Sequence, residues 1–165
     1  MNLIIQSTLK TLRKSHILLN NLSNEQLSDA SVSPYYSSIG SHIRHILDFY
    51  DCIFNKDTNN TVDLTARSRN KTVECDCSCA KDYLNAIVEK LNASFFNIDE
   101  TVFVVDDLGL GKTQIPYTNG ALLAQANSHT IHHYAIINYI FDNLGIVIND
   151  AEFGYNPTTP KQASS

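Results

Sequence analysis

The sequence predicts an all-α protein: a four-helix bundle with a long crossover between helices 2 and 3 and a small β-hairpin insert before helix 4. Three observations predict this fold. Four stretches carry apolar residues at spacings of three and four, which favours helix over strand. Segment 55–78 is polar and long enough to run the length of a bundle. Segment 101–117 has two β-type runs around a turn that contains glycine, which is typical of a hairpin.

The four helices are placed by their apolar stripes. The first is predicted over about Leu3 to Leu22 and the second over about Tyr35 to Phe54. The third is predicted over about Ala80 to Ile98 and the fourth over about Asn119 to Leu144. Gly145 is the expected stop of the fourth helix, because glycine readily takes the left-handed conformation after a last turn.

The overall composition limits the class of protein. A chain of 165 residues with 43% hydrophobic residues is expected to form one domain, 1–165, with a real core. The net charge of −5, without a basic cluster, argues against a nucleic-acid partner. No apolar run reaches about 18 residues, so no membrane span is expected. The first residues lack a signal-peptide pattern, so a cytoplasmic location is expected.

Two motifs that suggest other chemistry do not fit their patterns. Segment 75–79 reads Cys-x-Cys-x-Cys, whereas zinc knuckles use two separated Cys-x2-Cys pairs, so we interpret it as a loop that enters a helix. Segment 109–113 resembles the end of a phosphate-binding loop. That motif needs a glycine where Asp106 stands and a helix afterwards, so nucleotide binding is rejected.

His129 and His133 are the most informative pair in the chain. They lie four residues apart, so on a helix they share a face and can chelate one metal ion. The apolar seam predicted for this helix consists of Leu122, Ala126, His129, His133, Ile136 and Ile140. Burying an imidazole in such a seam costs roughly 1–3 kcal/mol unless a partner satisfies it. A metal ion with a third ligand from another helix would satisfy both.

The second helix offers two candidates for the third ligand. On a helical wheel His42 flanks the main apolar stripe. His45 lies further round, in line with Phe49. The spacing of the residues alone leaves both histidines open as ligands.

The histidine-bearing segments 38–48 and 128–135 resemble the DinB superfamily, also called the DinB/YfiT-like metalloenzymes. The resemblance implies a four-helix bundle with one metal-binding histidine in its second helix and a His-x3-His pair in its last. Matched residue by residue, it gives His45 as the second-helix ligand and His129 with His133 as the pair. It also implies a homodimer.

Other parts of the chain resemble one DinB-like subgroup more weakly. Segments 63–69 and 153–159, together with Glu74, resemble stretches found there. Phe49 stands where similar members often have another histidine, which removes a further ligand or proton carrier.

The resemblance implies one divalent metal ion. Zinc and nickel both suit three neutral imidazoles. Three protein ligands leave a position for water or for a thiolate cosubstrate. The expected function is therefore a metal-dependent hydrolase or a thiol-dependent transferase that acts on an unknown small molecule. The alternative is a non-catalytic, stress-related dimeric bundle with a structural or vestigial metal site.

Five further residues are candidates for the surroundings of the metal. His42 and His132 sit beside the proposed ligands and are interpreted as outer hydrogen-bond donors. Asp48 lies one turn from the second-helix ligand and is interpreted either as a residue that orients this ligand or as an ordinary solvated aspartate. His16 interrupts the apolar stripe of the first helix, as a bonded core histidine or as part of the pocket wall. Glu74 is a candidate general base, provided that the loop folds back.

Overall fold

The described residues, 2–93 and 96–160, form helices and a sheet in the computed structural model. In chain order the elements are α1 (Leu3–Asn21), α2 (Asn24–Ser28), α3 (Ile39–Phe54), β1 (Thr61–Asp63), α4 (Lys71–Cys75), α5 (Cys77–Asn92), β2 (Thr101–Asp107), β3 (Lys112–Thr118) and α6 (Asn119–Leu144). Within these residues, no helix combines the length and the apolar character that a membrane span requires.

The predicted all-α four-helix bundle is wrong, because the described residues form an α/β fold with six helices and a three-stranded mixed sheet. The predicted hairpin exists as β2 and β3, which pair antiparallel. The long crossover adds a third strand, since β1 pairs parallel to β2 with Thr61 opposite Phe103. The crossover also contains the short helix α4, and the segment between α1 and α3 contains the short helix α2. Segments of three to five residues are too short to show an apolar period.

Two of the four long helices, α1 and α6, begin and end within one residue of the predicted positions, and α3 and α5 differ more. Helix α3 begins at Ile39 rather than Tyr35. Helix α5 begins at Cys77, inside the predicted loop, and ends at Asn92 rather than near Ile98. The part of that prediction that covers Ser94 and Phe95 lies outside the described residues.

Capping residues fix the ends of the two helices that carry the histidine pair and its partner. The Ser38 side chain accepts from the Ser41 N–H and starts α3. The Thr118 side chain accepts from the Ala121 N–H and starts α6. Gly145 ends α6 as predicted, with φ of 66°.

The buried face of α6 differs from the predicted seam. The buried residues in the second half of this face are Ala126, Thr130, Tyr134, Ile137, Ile140 and Phe141. The two polar members are satisfied, because Thr130 Oγ1 lies 3.1 Å from the Tyr50 hydroxyl and the Tyr134 hydroxyl donates to the Thr11 carbonyl at 3.0 Å. His129 and His133 therefore lie half-buried at the edge of this face rather than in the middle of the seam.

Gly40 allows α3 to approach α4 closely. A Cβ at this position would lie 1.9 Å from the backbone oxygen of Glu74, so only glycine fits. One turn further along α3, Arg44 reaches the Glu74 carboxylate at 3.0 Å. The close approach thus holds the crossover against the helix that carries His45.

Candidate metal centre

Three histidines from two helices converge at one point. Helix α3 contributes His45, and α6 contributes His129 and His133, one turn apart. One ring nitrogen from each lies within 4.8 Å of the other two, close enough to hold a metal ion. In a tetrahedral zinc site with Zn–N bonds of about 2.0–2.1 Å, the nitrogens are roughly 3.3 Å apart. Small rotations of the side chains would bring the ring nitrogens to this separation.

The rings of this cluster (His45, His129 and His133) also pack edge to face. Their centroids are 4.5 Å apart for His129 and His133, 4.7 Å for His45 and His133, and 4.9 Å for His45 and His129. Phe49 lies one turn beyond His45 and places its ring 5.2 Å from that of His129. The Phe49 ring therefore forms an apolar wall on one side of the cluster.

His133 has an outer partner that suits a metal ligand. Its Nδ1 lies 2.8 Å from Nδ1 of His42, and Nε2 of His42 lies 2.8 Å from the Ser37 hydroxyl. When His133 carries its proton on Nδ1 and donates it to His42, its Nε2 lone pair is free for a metal. Metal-bound histidines usually donate through the second nitrogen in this way.

His45 has the opposite kind of outer partner. Arg67 Nη1 donates to His45 Nδ1 at 2.9 Å, so this nitrogen accepts and the ring proton lies on Nε2. His45 Nε2 is 2.9 Å from Nε2 of His129 and donates to it. A metal ion on His45 Nε2 would displace this proton. For the imidazole to stay neutral, the proton would move to Nδ1, and Arg67 would then no longer donate to that atom.

The electrostatic environment keeps the cluster uncharged. Burial lowers the pKa of His45 to about 4, with a further contribution from the positive charge of Arg67. Burial also lowers the pKa of His129 to about 4 and the pKa of His133 well below its usual range, where the neighbouring histidines add to the effect. The imidazoles are therefore neutral at pH 7, the form in which histidine binds metals.

These pKa shifts predict a loss of stability in acid for the metal-free protein. His45 and His129 have an ordinary pKa of 6.5 in the unfolded chain and about 4 in the folded one. Between these values the unfolded state binds more protons, so the free energy of unfolding falls as the pH drops from about 6.5 to about 4. Urea unfolding with a chelator present measures this slope. The double variant His45→Gln, His129→Gln should show a flatter slope; an unchanged slope would contradict the assignment.

Asp48 does not orient a histidine but anchors the crossover. It is 1% exposed and accepts from Arg44 Nη1 at 3.0 Å, from the Tyr83 hydroxyl at 3.1 Å and from the Arg69 backbone N–H at 3.2 Å. The hydrogen bonds of Asp48 therefore do not support the predicted role of orienting His45. Glu74 likewise pairs with Arg44 at 3.0 Å, which engages the candidate general base in a structural ion pair.

The two remaining candidates lie outside the cluster. His132 is exposed on α6, with its ring centroid 5.4 Å from that of His133. His16 is exposed on α1, where its Nδ1 lies 3.1 Å from the Asn20 side-chain nitrogen. The prediction of a buried core histidine at position 16 is wrong, because its face of α1 points away from the core.

Arg67 is the site residue that the sequence analysis missed. Segment 63–69 shows only a weak resemblance to a family, and the sequence alone indicates no role for Arg67. The contact with His45 depends on how the crossover continues from β1, where the Leu64 N–H donates to the Val105 carbonyl at 2.9 Å. No local pattern in the sequence indicates that path.

Two cavities of the described residues lie away from the histidines. The larger, of about 860 Å³, opens between α1, α6 and segment 151–160. The other, of about 630 Å³, lies between the end of α6 and the same segment. Neither is lined by a member of the cluster.

Comparison with known proteins adds no relative. No family model matches the chain, and no match was found among the curated proteins or the solved structures. The geometry of the histidine cluster is therefore the basis for assigning a function.

Proposed function

We propose that this protein binds one divalent metal ion through His45, His129 and His133 and uses it as a metal-dependent hydrolase or a thiol-dependent transferase that acts on a small molecule. The observation that carries the proposal is the convergence of three neutral imidazoles within 4.8 Å. Each of the three histidines is half-buried, and none has a carboxylate partner within the cluster. A metal ion would satisfy all three ring nitrogens at once.

Zinc or nickel is the proposed metal. All three donors are imidazole nitrogens, a set that suits zinc, copper, iron and nickel and disfavours magnesium and calcium. The hydrogen bond between His133 Nδ1 and His42 Nδ1 supports ligation, because it leaves His133 Nε2 available to a metal when His133 is the donor.

Three protein ligands leave a coordination position open, which is the arrangement of catalytic rather than structural zinc sites. A bound ion in such a site lowers the pKa of its water to about 7 and supplies a nucleophile near neutral pH. The same position would accept a thiolate. In this chain His42 orients His133, and the ring of Phe49 shields His129 from water on one side.

We also propose distant kinship with the DinB superfamily. The support is the pair of motifs in segments 38–48 and 128–135, whose matched ligand positions are the three histidines of the cluster. This proposed relationship rests on the two motifs and does not extend to an all-α architecture.

Cobalt(II) substitution tests the proposed open site. The protein should bind one equivalent of cobalt and show visible bands of a four- or five-coordinate ion, and azide should shift these bands by entering the open position. Bands that azide leaves unchanged would identify a closed, structural site and contradict the enzymatic function. Absence of cobalt binding would contradict the metal site altogether. His16→Ala is the matched control, because it removes an exposed histidine outside the cluster.

A further inference from the structure

Two arginines lie near the histidine cluster, and they differ in how their charges are compensated. Arg44 forms ion pairs with both Asp48 and Glu74 at 3.0 Å. Arg67, also half-buried, takes part in none of the ion pairs found among the described residues. Its neighbours are the Leu64 carbonyl, 2.9 Å from Nε, and His45 Nδ1. Arg67 is thus a cation without a counter-ion beside the cluster.

The cluster itself supplies no negative charge. The three imidazoles are neutral, so a divalent ion together with Arg67 would concentrate three positive charges in one place; this step rests on the proposed function. Two carboxylates act on the cluster from further away, Asp48 on His45 and Asp106 on His129. Asp48 is already paired with Arg44. Asp106 would offset at most one of the three positive charges, so an anion that enters with the ligand would balance the rest.

Arg67 has the hydrogen-bonding capacity to receive such an anion. A guanidinium offers five N–H donors, and the contacts to Leu64 and His45 use one from Nε and one from Nη1. Three donors remain, and the Nη1–Nη2 edge of a guanidinium, with its parallel pair of donors, matches the two oxygens of a carboxylate. The contact of 2.9 Å with His45 Nδ1 places Arg67 directly beside the cluster.

We infer that the small molecule that binds this site carries a carboxylate, and that Arg67 binds this carboxylate while another group of the same molecule binds the metal. Arg67 is then the residue that determines specificity, and neutral molecules of the same shape are poor ligands. Lysine would serve less well at this position, because it lacks the planar pair of donors.

Two thiols that differ only in charge test the inference on cobalt-loaded protein. The probes are 3-mercaptopropionate and 3-mercaptopropionamide; both ligate cobalt through sulfur, and the thiolate-to-cobalt absorption band reports binding. We expect the wild type to bind the carboxylate about tenfold or more tightly than the amide. In Arg67→Gln the ratio of the two affinities should fall close to one. Arg69→Gln, which removes an exposed arginine from the same loop, should keep the wild-type ratio.

The outcomes separate this inference from the proposed function. If the wild type does not bind cobalt, the metal site fails and the inference fails with it. If cobalt binds and the wild-type ratio is close to one, only the inference is overturned, and this result needs no variant. A ratio that Arg67→Gln leaves at the wild-type value also overturns it, because the preference would then arise from chelation by the metal. Unchanged far-ultraviolet circular dichroism shows that the variant is folded.

Discussion

Replacing His129 with alanine is expected to remove stoichiometric metal from the purified protein. His129 contacts both other ligands, with its Nε2 2.9 Å from that of His45 and its ring centroid 4.5 Å from that of His133. Loss of a partner outside the ligand shell typically weakens metal affinity about 10–100-fold, so loss of a ligand should cost more. Elemental analysis after dialysis measures the effect as metal per chain.

The control for this experiment is His16→Ala, which removes an exposed imidazole from α1 and should leave the metal content unchanged. The truncation of His129 removes a half-buried ring at the edge of the core and leaves the fully buried face of α6 intact. Circular dichroism should therefore show the same helix content in both variants. Wild-type metal content in His129→Ala would mean that the ion binds elsewhere.

Replacing Asp48 with alanine is expected to lower the free energy of unfolding by about 3–5 kcal/mol. The carboxylate is buried and accepts from Arg44, Tyr83 and the backbone of Arg69. Its removal leaves the Tyr83 hydroxyl and the Arg69 N–H without this acceptor and leaves Arg44 with Glu74 alone. Urea denaturation followed by circular dichroism measures the change.

Asp51→Ala is the matched control, three positions further along the same helix. Asp51 pairs with Lys90 at 3.2 Å, but both side chains are partly exposed to solvent. An ion pair of this kind contributes about 0–1 kcal/mol. Equal losses in the two variants would show that the Asp48 network does not stabilise the fold in the way that its burial indicates.

The histidine pair could be predicted because it depends on local geometry alone. Residues four apart on a helix share a face, so the spacing of His129 and His133 was enough to suggest a metal site. Choosing His45 over His42 required the resemblance to a family, because both lie on α3 near the same packing face. In the structure His45 joins the pair, and His42 forms a hydrogen bond to His133.

What could not be predicted depends on contacts between distant segments. Strand β1 has three residues, and its parallel pairing with β2 joins Thr61 to Phe103, far along the chain. The face of α6 was assigned by apolar residues, whereas Thr130 and Tyr134 are buried through hydrogen bonds that only the packed structure reveals. Arg67 was missed for the same reason, since it reaches His45 through the folded crossover.

The most direct test of the metal centre is an anomalous-scattering map from crystals of the metal-loaded protein, recorded at the zinc and nickel absorption edges. We expect one peak, about 2.0–2.1 Å from a ring nitrogen of each of His45, His129 and His133. The edge at which the peak appears identifies the metal. A map with no peak at this point, or with its peak at other side chains, would contradict the account.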